Sequence, residues 1–176
     1  MITRPLSGRV TISCPTCTSS FQTTIMSSSV AFPPSFGYVA AGLVTTAWVL
    51  GWQAIVVGKH RKKSGIKYPQ LYAEKAEADA SKEAFLFNCA QRAHQNTIEH
   101  MPLIIISTLV TSMKYPVFAG YASGLWALSR VLYTLGYTTG DPAKRNTRGG
   151  ILGELPLFGL LLGSTYAAFD LVRSSA

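Results

Sequence analysis

From Ser35 to Gly58 the chain runs 24 residues without a charged side chain. At about 1.5 Å of rise per residue, about 20 apolar residues are enough for a helix to cross the hydrocarbon of a bilayer, so this run predicts a first membrane span. Lys59-His60-Arg61-Lys62-Lys63 ends it abruptly, as a cytoplasmic flank does under the positive-inside rule. Composition agrees. The chain is 48% hydrophobic and 14% charged, against about 25% charged in soluble domains, and its mean hydropathy is +0.23. The net charge of +8 is concentrated at Lys59 to Lys67 and Lys144 to Arg148, each beside an apolar run. Basic residues so placed face a membrane surface and not nucleic acid, which is expected to be no partner.

Three further spans follow. Met101 to Met113 is apolar but too short alone, so the second helix has to begin near Phe85 and carry Asn88, Gln91, Arg92, His94, Gln95, Asn96 and Glu99 towards the bilayer. Tyr115-Pro116 marks a turn, and Val117 to Thr138 reads as a third span interrupted by Arg130. A second basic connector holds Asp141-Pro142, Lys144, Arg145 and Arg148. The fourth span has Glu154 near its start, and Gly153, Gly159 and Gly163 permit close helix contact. The expected fold is all-α: an integral membrane four-helix bundle over residues 35–176, with spans at about 36–58, 85–113, 117–138 and 150–171. Both basic connectors are expected on the cytoplasmic side, with both termini across the membrane.

Residues 1–34 contain Arg4 and Arg9, no acid and many Ser and Thr, the composition of a disordered or targeting tail. Initiation at Met26, or cleavage nearby, would leave the core whole. Cys14-Pro15-Thr16-Cys17 matches a C-x-x-C pair, but no second pair follows to complete a zinc site. His94 and His100 lie six apart, off a shared helix face, so no metal site is expected.

Charged side chains inside a membrane helix are costly and have to be buried, paired or bound to a ligand. At about 100° per residue, Arg92, Asn96 and Glu99 fall within about 60° of one another, and His94 points nearly the opposite way, towards another neighbour or another subunit. Arg130, Tyr133 and Tyr137 form a second such stripe. Guanidinium, amide, carboxylate and phenol groups beside basic loops suit a small peptide-like anion bearing an amine. Spacing alone leaves open the alternative that these groups pair with each other to fix helix packing.

The run Phe87-Asn88-Cys89-Ala90-Gln91-Arg92-Ala93-His94-Gln95-Asn96-Thr97-Ile98-Glu99 resembles the signature of the microsomal glutathione S-transferases. Arg130-Val131-Leu132-Tyr133 with Gly136-Tyr137, followed by Thr139-Gly140-Asp141-Pro142 and Lys144-Arg145, is similar to their type three branch. These belong to the membrane-associated proteins in eicosanoid and glutathione metabolism, MAPEG. The likeness runs from about Phe36 to Phe169. It implies a homotrimer of four-helix subunits that binds glutathione as co-substrate between adjacent subunits, near the cytosolic face. By resemblance, Arg92, Asn96, Glu99, Arg130, Tyr133 and Tyr137 hold glutathione from one subunit, while Arg61 and His94 reach it from the neighbour. The family's thiol-activating arginine falls just past the second tyrosine, where Lys144 and Arg145 compete; Arg145 is preferred, since a guanidinium keeps its charge when desolvated. His100 stands where leukotriene C4 synthase has a tyrosine, which points away from that activity. The implied function is a glutathione transferase and glutathione-dependent peroxidase acting on a hydrophobic electrophile or lipid hydroperoxide that arrives through membrane lipid. The endoplasmic reticulum is the first expected membrane and the mitochondrial outer membrane the second. A non-catalytic lipid-binding or partner-activating scaffold is the rival.

Overall fold

The computed structural model describes residues 35–175. The expectations placed on residues 1–34, the Cys14/Cys17 pair among them, lie outside the described residues. Helix α1, Phe36–Ser64, runs past Gly58 and through the whole basic cluster, because nothing breaks it before Gly65. That glycine adopts φ 73° and donates its N–H to the Arg61 carbonyl at 3.1 Å, a left-handed stop that a side chain would strain. A connector and the short α2, Lys75–Ala80, lead to α3, Lys82–Ser112. The start of α3, ahead of the predicted Phe85, is set by Ser81, whose Oγ accepts from the Ala84 N–H at 3.3 Å. Pro116 occupies the first turn of α4, Pro116–Tyr137, where its missing N–H costs nothing. The basic connector contains α5, Lys144–Thr147. The fourth long segment opens with a tight 3-10 turn, Gly150–Gly153, before α6, Glu154–Ser175. Among the described residues there is no strand.

Contacts between side chains fix the directions of the helices. Gly120 presses on the Tyr38 backbone, Gly42 on Ser123, and Gln53 reaches Thr134, so α1 and α4 ascend together. Arg61 meets Phe87 while Gln53 meets Thr97, so α3 runs antiparallel to α1. Arg130 faces Glu154 and Phe118 faces Gly159, which sets α6 antiparallel to α4. The end of α1, the start of α3, the end of α4 and the start of α6 therefore share one end of the molecule, together with both basic connectors. Helices α3 and α4 touch each other and both outer helices, whereas α1 and α6 do not meet.

The two outer elements, Phe36–Ser64 and Gly150–Ser175, are long and apolar enough to cross a membrane. They are not the buried core helices of a soluble protein, which also pass that test, because only 28% and 17% of their apolar windows are buried. Trp48, Ile55, Leu155 and Leu162 all project outwards, and apolar surface of that extent marks a face that meets a membrane or another protein. Inside, Val49, Ile104, Trp126, Leu157 and Leu160 form the core. Small residues let the backbones close. A Cβ at Gly42 would collide with Ser123 and with the Gly120 carbonyl, and one at Gly163 would crowd Thr111. Gln53, 1% exposed, donates to Thr97 Oγ1 at 2.9 Å and Thr134 Oγ1 at 2.8 Å and ties three helices together.

Candidate functional site

Arg130 anchors the polar end. Its side chain is 3% exposed because it leaves the inner face of α4, and Gly153 opposite it has no side chain to block the guanidinium. Nη1 donates to Asn96 Oδ1 at 3.1 Å and Nη2 to the Gly150 carbonyl at 3.3 Å. Glu154 Oε1 lies 3.9 Å from Nη2. The guanidinium carbon sits 4.6 Å from the Tyr133 ring centroid and 5.4 Å from that of Trp126, cation–π distances. Nε is buried with no partner, a donor left over by the protein itself.

From Arg130 the cluster extends in both directions. The rings of Tyr133 and Tyr137 lie 5.7 Å apart, one turn apart on α4. The Arg145 guanidinium sits 5.4 Å from the Tyr137 ring centroid, and its Nη1 donates to the Pro142 carbonyl at 2.7 Å. Arg145 gets there because the connector folds back on α4 at Gly136, where a Cβ would collide with the Lys144 carbonyl. Lys144 turns elsewhere, with Nζ 3.6 Å from Asp141 Oδ2. On α3, Arg92 Nη1 and Glu99 Oε1 pair at 2.9 Å with about half of each side chain exposed, 46% and 45%.

Of the residues singled out in the sequence, Arg92, Asn96, Glu99, Arg130, Tyr133, Tyr137 and Arg145 thus come to one end and one face. His94 is half-buried and has no hydrogen bond, ion pair or ring contact among the described residues. Arg61 is 8% exposed and spends its donors on the connector, with Nη1 on the Gln70 carbonyl at 2.8 Å and Nη2 on the Leu71 carbonyl at 3.4 Å. The face is open. A cleft of about 320 Å³ lies apart from it, lined by Gly58, Arg61, Lys62, Gly65, Ile66 and Tyr68.

Two participants were not foreseen. Glu154 supplies the second carboxylate of the cluster. Tyr72, in the connector before α2, donates its hydroxyl to Gln95 Oε1 and lies within electrostatic reach of Arg92, Glu99 and Tyr137. Burial pushes the Tyr72 phenol above its ordinary value, against the pull of Arg92, so it stays protonated at neutral pH. A connector tyrosine carries no periodic signal, so nothing in the sequence pattern marked it.

The cluster sets three guanidinium groups, Arg92, Arg130 and Arg145, against two carboxylates, Glu99 and Glu154. It carries surplus positive charge, a buried unused donor and three phenols, Tyr72, Tyr133 and Tyr137, which suits an anion that brings its own ammonium group. A sequence model of the MAPEG family matches residues 38–166, a stretch that contains α3 and α4 whole, nearly all of α1, more than half of α6 and all of these groups. MAPEG proteins are membrane proteins, and they include glutathione transferases and related enzymes. With well over half of its length matched, the chain belongs to the MAPEG family.

Proposed function

We propose that this protein is a membrane-bound glutathione transferase that also reduces lipid hydroperoxides with glutathione. The observation that carries the reading is the convergence of Arg92, Arg130 and Arg145 with Tyr133 and Tyr137 on one open face that holds only two carboxylates. Glutathione is an anion with two carboxylates, one ammonium and one thiol, and the donor set fits it. Arg92 and Arg130 take carboxylates, Asn96 orients them, and Glu99 takes the ammonium. The Arg92–Glu99 pair has to exchange partners first, which is a small obstacle, because an exposed ion pair contributes only about 0–1 kcal/mol.

Arg145 holds the sulfur. A guanidinium beside a thiol favours the thiolate, and the thiolate is the nucleophile. On a carbon electrophile it forms a C–S bond as the leaving group departs with its electron pair. On a hydroperoxide it breaks the O–O bond to give a sulfenic acid and, after protonation, an alcohol; a second glutathione then yields the disulfide and water. Lys144, engaged with Asp141, is the weaker candidate for this role.

In our reading all four long helices span the bilayer as a four-helix bundle, and subunits assemble as a homotrimer. Half-exposed Arg92, Glu99 and Glu154 cannot face lipid without cost, and a neighbouring subunit would cover them. His94, unpartnered among the described residues, is the group offered across that boundary. The endoplasmic reticulum membrane is the proposed location, with the mitochondrial outer membrane second.

The rival is a non-catalytic lipid-binding or partner-activating scaffold, favoured by the Arg92–Glu99 pair itself, since groups that neutralise each other need no ligand. Purified protein assayed with glutathione plus a lipid hydroperoxide or an aryl halide separates the two. Turnover that saturates with glutathione is expected. Neither turnover nor glutathione binding would leave the scaffold.

A further inference from the structure

The connector between α1 and α2 is gripped from two sides. On one side is Arg61, its guanidinium carbon 4.3 Å from the Tyr68 ring centroid and 4.5 Å from that of Phe87. Between these two rings, it sends its donors into the carbonyls of Gln70 and Leu71. On the other side Asn88 of α3 pairs with the backbone of Ala73, with Oδ1 accepting from N–H at 2.8 Å and Nδ2 donating to the carbonyl at 2.9 Å. Tyr72 lies between these two anchors. Its neighbours on both sides are held through their main chains, so its side chain has little freedom, and its hydroxyl is directed onto the polar face of α3 beside Gln95, Arg92 and Glu99.

That placement has a consequence for the exchange described above. A phenol has one hydrogen to donate and two lone pairs to accept with. The Tyr72 hydrogen goes to Gln95, and its lone pairs remain for a donor. When Glu99 turns to a ligand ammonium, Arg92 loses its ion-pair partner and keeps the Tyr72 hydroxyl as its side-chain neighbour; without that neighbour a long side chain regains rotamer entropy that binding then has to recover.

We propose that Tyr72 is a positioning residue of the glutathione site, holding the Arg92 guanidinium in place once Glu99 is drawn to the ligand, and that Arg61 acts on binding through the connector that carries Tyr72. The inference rests on the glutathione reading. It gives Arg61 a role inside its own subunit, through carbonyls it already holds.

The test measures glutathione binding by isothermal titration on the purified, membrane-extracted full chain, with KM and kcat measured separately and the oligomer checked by size exclusion. Tyr72→Phe removes only the hydroxyl. It is expected to weaken glutathione binding and raise KM about five- to ten-fold, the change one lost ordinary hydrogen bond produces, with kcat and the oligomer unchanged. Arg61→Ala is expected to weaken binding similarly, and the double variant no further than either single one, since both changes remove the same interaction. If Arg61→Ala does not fold, Asn88→Ala releases the connector from its other side and completes the same cycle. Unchanged binding in Tyr72→Phe overturns the proposal. Losses that multiply in the double variant overturn the part assigned to Arg61, because they would mean that it touches the ligand independently. Absence of glutathione binding by the unaltered protein would instead sink the functional reading on which the inference rests.

Discussion

The two ends of the helix cluster use the same vocabulary of side chains to opposite effect. At the end without the basic connectors, Lys114 Nζ meets Asp170 Oδ2 at 2.6 Å and lies 4.5 Å from the Tyr166 ring centroid, which stacks on Tyr115 at 6.4 Å. One cation faces one carboxylate, and the phenols cover the pair. At the other end three guanidinium groups share two carboxylates, and a buried Arg130 Nε has no acceptor. The first arrangement is complete in itself and serves only to fasten α6 to the turn between α3 and α4. The second is one negative charge short. Comparing them shows that cations and phenols together do not make the two clusters alike; what distinguishes the guanidinium cluster is a buried cation with a donor left over and charge unmatched by its carboxylates.

Removing the surplus should therefore abolish function where removing a matched pair does not. The largest effect is expected for Arg145→Ala. If the guanidinium beside Tyr137 holds the thiolate, turnover should fall about 100-fold, as when one charge-stabilising donor is taken from an active site, and the thiolate absorbance of bound glutathione should disappear. Lys144→Ala, which breaks only the contact with Asp141, should change turnover less than about three-fold. A reversed order between these two variants would transfer the sulfur to Lys144. Arg130→Met comes next. It strips Asn96 and the Gly150 carbonyl of their donor, at about 1.5–3 kcal/mol for a hydrogen bond to a charged group. Thermal unfolding in detergent should register that loss together with lost glutathione binding. Arg92→Ala, at an exposed position, should weaken glutathione binding about ten-fold and leave the melting temperature nearly unchanged.

Much of this end was legible in the sequence, for reasons that also explain the rest. Arg92, Asn96 and Glu99 could be placed on one face because a helix repeats every 3.6 residues, and the same regularity joined Arg130, Tyr133 and Tyr137. The uncharged run of α1 revealed its span by length alone. What was not legible depended on backbone acceptors and on chain reversals, which leave no mark in residue type. By pattern Arg61 is one more member of a basic flank, and resemblance alone marked it as reaching a neighbour's glutathione; in its own subunit its donors are taken by carbonyls of Gln70 and Leu71. Tyr72 sits in a connector without a period. The choice between Lys144 and Arg145 depends on how tightly the chain folds back at Gly136, and counting residues from Tyr137 cannot supply that.

The smallest effect belongs to Lys114, and it makes the comparison strict. The hydrogen bond to Asp170 is the chief reason its pKa lies above the ordinary lysine value, and Tyr166 adds to it. A lysine whose folded pKa is raised contributes stability that is whole below the unfolded value of about 10.4 and disappears as pH rises through the folded one. At neutral pH the pair is intact, so Lys114→Met should lower the melting temperature slightly at low salt and not at all in high salt, where exposed charges are screened. The difference between the variant and the unaltered protein should also vanish at strongly alkaline pH. Glutathione binding and turnover should stay at their original values throughout, because the Lys114–Asp170 pair has no surplus charge to offer an anion. A Lys114→Met protein that bound glutathione more weakly, while keeping its oligomeric state, would mean that the two ends are coupled and that charge surplus alone does not mark the site.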